Sequence, residues 1–202
     1  CSSDLTRPGT PVVTASMVVR AGTGANPADR PGLASFVLDM LEQGTATRSA
    51  SQIADELARL GAVYRTRSAA DYAAVTLKVI RRNTSAGLEL LGEMLTHPAF
   101  TDTEIERERQ ARAGDLLEAR QSAGQVANRV LIRALFGKDS PYGQIDLGTE
   151  DSIRKITQKD LLTFWSQRYV PNNTALVVSG AITRAELEPL LQKDRKSTRL
   201  NS

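Results

Sequence analysis

The sequence predicts an α+β domain, and three observations carry that expectation. Short β-branched apolar runs at Pro11–Ala21, Ala62–Ser68, Asp71–Ile80 and Ala175–Ser179 read as strands. Longer segments with apolar residues at helical spacing lie among them. The two kinds do not alternate strictly, as a doubly wound sheet would require, so α+β is favoured over α/β.

The elements follow in order. Pro11–Ala21 carries Val12, Val13, Met17, Val18 and Val19 and is closed by Gly22 and Gly24, the pattern of a mostly buried strand. Asp29-Arg30-Pro31 opens a helix with proline near its first turn, and Gly44 ends it. Within it Leu33, Phe36, Val37, Met40 and Leu41 fall at i, i+3, i+4, i+7 and i+8, a core-facing stripe. Ser49 or Ser51 caps a second helix carrying Ile53, Leu57 and Leu60 and stopped at Gly61. Ala62–Ser68 and Asp71–Ile80 form a strand pair. A helix through Leu88, Leu91 and Leu95 ends before Pro98, and a long charged helix runs from about Thr101 to Arg120. Further helices cover about Gln125–Phe136 and Lys159–Tyr169, with another beginning at Ala185–Leu191.

Composition bounds the function. The 202 residues suit one domain, and 41% hydrophobic with 24% charged residues excludes a wholly disordered chain. No apolar run approaches the roughly 20 residues of a membrane helix. A net charge of +3 is too small by itself for a nucleic-acid footprint. One cysteine and one histidine, His97, exclude a multi-cysteine zinc module and any two-histidine metal site within the chain. Both ends, residues 1–5 and 194–202, can be encoded by codons resembling a common DNA-sequencing adapter, so they are read as scars and the domain as residues 6–193. That reading also sets aside Cys1 as a lipid-anchored cysteine.

The run Gly32-Leu33-Ala34-Ser35-Phe36-Val37-Leu38-Asp39-Met40-Leu41-Glu42-Gln43-Gly44-Thr45 resembles the zinc-site helix of the pitrilysin/insulinase metallopeptidases, G-L-A-H-F-L-E-H-M-L-F-K-G-T, which carries the inverted H-x-x-E-H motif. Pro98-Ala99-Phe100, Pro141-Tyr142-Gly143, Leu147-Gly148-Thr149 with Ser152-Ile153, and Tyr169-x-Pro171-x-Asn173 resemble further segments of that family in the same order. The resemblance spans about Pro11–Leu191 and implies a mixed, largely antiparallel sheet packed with helices, the metalloenzyme-domain fold of the LuxS/processing-peptidase-like type.

In that family two histidines one helical turn apart hold zinc, the glutamate between them activates the metal-bound water, and a distal glutamate completes the ligand set. Carried over residue by residue, the histidines fall on Ser35 and Asp39, the general base on Leu38, and the distal glutamate on Asp115, 76 residues after Asp39. Neither imidazole is present, and an alkyl group cannot supply the roughly 10²–10⁴-fold contribution of a general base. No metal site is therefore expected in this chain, although Asp39 and Asp115 could weakly hold a hard cation. The plainer alternative makes Ser35, Leu38, Asp39 and Glu42 an ordinary, less apolar helix face, with Asp39 and Asp115 solvated or paired with arginine. Glu104, Glu106, Arg107, Glu108, Arg109 and Arg112 read as a solvated helix face with pairs such as Glu108–Arg112.

The family's peptide-binding edge strand resembles G-x-x-x-N-A-x-T; here Gly61–Ser68 places Arg65 at the asparagine and Thr66 at the alanine. Arg65, Thr66 and Arg67 are candidates for peptide binding by strand addition, against the alternative that the arginines only protect an edge from aggregation. His97 suits a helix end, and Phe164 and Trp165 suit a core.

The resemblance implies a noncatalytic half or subunit of a zinc metalloendopeptidase that helps enclose peptide substrate. Its partner would be a homologous half carrying the zinc, with no nucleic acid and no membrane segment involved. A scaffold subunit like the respiratory-complex core proteins is the alternative, and an active zinc peptidase the remaining one. A bacterial periplasmic or envelope location is suggested by the resemblance alone.

Overall fold

The computed structural model describes residues 11–137 and 140–198. The adapter-like head and Cys1 lie outside them. Four strands, β1 (Val12–Val19), β2 (Val63–Ser68), β3 (Ala73–Ile80) and β4 (Thr174–Gly180), form one antiparallel sheet in the order β2-β3-β1-β4. Central β1 pairs on both sides, with Ala15 opposite Leu77 of β3 and Val178 of β4. The period-2 alternation assigns the faces. Val13, Ala15 and Val19 are buried with Ala73, Val75, Leu77 and Val79, whereas Ser16 and Thr76 pair hydroxyls at 3.0 Å on the opposite face.

The buried face meets α1 (Leu33–Met40), α3 (Thr84–Thr96) and α7 (Gln158–Arg168), whose Phe36, Val37, Leu91, Leu95, Leu161 and Phe164 complete the main core. Beside it, α2 (Ala50–Leu60) contributes Ile53 and Leu60 to a smaller cluster with Leu90 and Met94. Ser49 is the α2 cap, closed reciprocally by Gln52, and Gly61 ends the helix in the left-handed conformation. The charged helix is α4 (Asp102–Gln121), followed by α5 (Ala123–Phe136). The chain then passes through α6 (Glu150–Lys155), and α8 (Arg184–Thr198) follows β4.

Two readings need correction. Helix α1 begins at Leu33, not at Asp29–Pro31, and its early N–H of Ala34 donates to the Asn26 side chain at 2.8 Å. The acceptor comes from a preceding loop, so no local capping residue signals the start. Helix α6 went unread because six residues are too few for a periodic stripe; its signal is the capping pair Thr149 and Ser152.

The start of α1 is fixed by close backbone approach. Gly32 at φ +90° and Gly148 at φ +79° stack so tightly that a Cβ on Gly148 would lie 2.5 Å from the Pro31 carbonyl oxygen. Ser152 donates its hydroxyl to that same oxygen at 2.7 Å. The Leu147-Gly148-Thr149 segment therefore positions the N-terminal turn of α1, which carries Ser35.

Candidate functional site

The site is built where α1 crosses α4. Ser35 and Asp39 lie one turn apart on α1 and converge on the guanidinium of Arg112 from α4. Arg112 donates through one terminal nitrogen to Ser35 Oγ at 3.0 Å, through the other to Asp39 Oδ2 at 2.5 Å, and through Nε to Glu108 Oε1 at 2.7 Å. Its charge also lies 4.8 Å from the centroid of the Phe36 ring. Arg112 is 1% exposed and is among the largest fully buried side chains of the described residues. All three kinds of guanidinium nitrogen are engaged, so a buried cation is compensated by geometry as well as charge.

Reading Arg112 as part of a solvated face was wrong, although its pairing with Glu108 is present. A signal existed: Arg112 falls in line with Ile105, Leu116 and Ala119, the buried positions of α4. An arginine on an otherwise apolar stripe points inward.

The other motif positions lie outside that network. Leu38 is 1% exposed and belongs to the main core, so the position aligned with the general base is filled by packing. Asp115 is exposed and takes no part in the Arg112 network. Among the described residues no three His, Cys, Asp or Glu side chains gather to hold a metal. The donor set does not fit zinc: it offers one hydroxyl, a carboxylate bound to a guanidinium, and an alkyl group.

Burial gives the cluster its electrostatics. Loss of water pushes the Asp39 carboxyl up to about 6; Arg112 opposes this and Glu108 adds to it. Burial, with Glu108 nearby, also raises Glu42. Tyr64 of β2 and Tyr169 after α7 have buried hydroxyls without a hydrogen-bond partner among the described residues. Burial raises both phenols, with further contributions from Glu42 and Asp39 at Tyr64 and from Asp39 at Tyr169. The Tyr64 and Tyr169 hydroxyls thus lie within electrostatic reach of Asp39.

The edge candidates lie on β2, at one border of the sheet. Arg65 and Arg67 are exposed, while Thr66 is half-buried on the helix-covered face opposite Val75. His97 caps α3, with its ring 2.7 Å from the Thr96 hydroxyl. Phe164 is buried, and the half-buried Trp165 donates to the Leu95 carbonyl oxygen at 2.8 Å.

The chain is similar to an uncharacterized zinc protease of Rickettsia bellii, at 24% identity over 87% of this chain and 42% of that protein. It is also similar to cytochrome b-c1 complex subunit 1 of Bos taurus, at 25% identity over 91% of this chain and 38% of that one. A solved peptidase M16 inactive domain from Pseudomonas fluorescens shares the fold with a TM-score of 0.89 and 22% identity, covering 96% of this chain and 47% of that one. The chain thus spans less than half the length of these relatives. The model of the family described as Insulinase (Peptidase family M16) matches residues 5–145. By that match, this chain belongs to the insulinase family, peptidase family M16.

Proposed function

We propose that this chain acts as a noncatalytic half of a two-half metalloendopeptidase, helping to enclose and bind peptide while a homologous half carries the zinc. The observation that supports this reading is the buried Arg112 guanidinium held by Ser35, Asp39 and Glu108. A fixed internal cation at the convergence of two ligand-aligned positions repels a second cation, and Leu38 leaves no base to activate water. The frame around it is kept, and the β2 edge can still pair with an extended peptide through its backbone.

Reconstitution tests the proposal. This chain, produced with a homologous half containing intact H-x-x-E-H, is expected to support peptide cleavage that neither half performs alone. Metal-dependent cleavage by the purified chain, free of contaminating protease, refutes it. A second reading, a scaffold subunit, is favoured by the similarity to cytochrome b-c1 complex subunit 1. It predicts stable assembly with a partner and no contribution to cleavage.

A further inference from the structure

We propose that a cleft at the end of the β2 edge receives a carboxylate of an extended peptide, with Arg129 as the charge that recognises it. The proposal rests on the peptide-binding reading above and adds the chemical class of the peptide. The cleft has a volume of about 380 Å³ and lies between the end of β2, at Ser68–Ala70, the α5 face, and the Tyr142–Asp146 segment. Helix α5 turns Gln125, Asn128, Arg129 and Ile132 toward it, at the i, i+3, i+4 and i+7 spacing of one helix face.

Four polar side chains of the opposite wall, Ser68, Tyr142, Gln144 and Asp146, are committed. Asp146 Oδ1 accepts from the Ser68 hydroxyl at 2.6 Å, the Tyr142 hydroxyl donates to Asp71 at 2.7 Å, and Gln144 Oε1 accepts from Asn26 at 3.3 Å. The α5 wall is not. Arg129 is half-buried, and among the described residues no carboxylate pairs with it; the side-chain amides of Gln125 and Asn128 are likewise without partners there. A guanidinium flanked by two free amides, above Ile132 and Ala69, presents hydrogen-bond donors and positive charge to a planar anion.

Position supplies the rest. A peptide added to the β2 edge extends past Ser68 directly over this cleft. On its way it passes Arg65 and Arg67 on the exposed face, so alternate side chains of the added strand meet positive charge. The cleft also adjoins the Arg112 network, because the Asp146 carbonyl oxygen accepts from the Ser35 hydroxyl at 2.5 Å.

Fluorescence anisotropy on the full chain tests this with three labelled Thr/Val decapeptides. One carries Glu at its first and last residues only and an amidated C-terminus, one carries Gln there with the amide, and one carries Gln with a free C-terminal carboxylate. At least one carboxylate peptide is expected to bind about tenfold more tightly than the amidated Gln peptide, with the gap narrowing at high salt. Whichever peptide gains identifies a side-chain or a terminal carboxylate. Arg129→Gln is expected to close the gap without weakening the amidated Gln peptide, and Arg129→Lys to keep part of it. Equal binding of all three, or a gap that survives Arg129→Gln in a variant with unchanged melting, overturns the assignment and leaves peptide binding standing. Binding of none overturns both.

Discussion

Replacing Arg112 by methionine keeps most of the hydrophobic stem and removes the guanidinium. Breaking a buried ion pair by deleting one partner typically costs about 3–5 kcal/mol, because the remaining charge stays desolvated. Here the exposures set where in that range the effect falls. The Asp39 side chain is 39% exposed and can regain water, whereas Glu108 is 14% exposed and Ser35 is buried. The contact with the Phe36 face is lost as well, which is worth about 1 kcal/mol. A loss near 3 kcal/mol is therefore expected for Arg112→Met. With a urea slope of about 2 kcal/mol/M, the unfolding midpoint should fall by roughly 1.5 M. Adding Asp39→Asn and Glu108→Gln removes the stranded carboxylates and should restore about half of the loss. Equilibrium unfolding in urea, followed by far-UV circular dichroism and Trp165 fluorescence, checks each variant. A single variant within 0.5 kcal/mol of the parent, or a triple variant less stable than the single one, refutes the account of Arg112 as the compensated cation of this site.

Asp39 has a folded pKa of about 6, above its unfolded value, so the native state binds the extra proton between roughly pH 4 and 6. Its contribution to stability is present below that window and lost as pH rises through 6; Asp39→Asn should flatten this part of the profile, and identical pH profiles would refute it. The unmodified chain should contain no stoichiometric zinc by elemental analysis. Ser35→His, Leu38→Glu, Asp39→His and Asp115→Glu together should still bind none while Arg112 remains, and adding Arg112→Gln should create a weak site. Tight zinc binding by the fourfold variant would show that Arg112 is not the obstacle. Deleting residues 1–5 and 194–202 should shift the melting temperature by no more than about 2 °C, and a larger drop would assign those residues to the domain.

The local rules of sequence reach far in this protein. Alternation marked β1 and β3, the Ser49 cap and Gly61 stop bounded α2, and the spacing of Leu33, Phe36, Val37, Met40 and Leu41 oriented α1 toward the core. These signals are legible because each depends on residues within a few positions of one another. Substitution of the motif was legible for the same reason: Ser35, Leu38 and Asp39 share barely more than one helical turn.

What replaced the motif was not. Arg112 sits 73 residues after Asp39 in a run of alternating charges, and in sequence such a run has the composition of a solvated surface. Whether a guanidinium there meets water or a buried hydroxyl and two carboxylates is decided by how α4 crosses α1. The exposure of Asp115, four-fifths of a turn beyond Arg112, is set by the same crossing. Sequence alone determined that α1 offers a hydroxyl, an alkyl group and a carboxylate at Ser35, Leu38 and Asp39. Only the tertiary structure determined that Ser35 and Asp39 hold an internal cation, because desolvation and charge pairing depend on the full three-dimensional surroundings of a group and not on its neighbours along the chain.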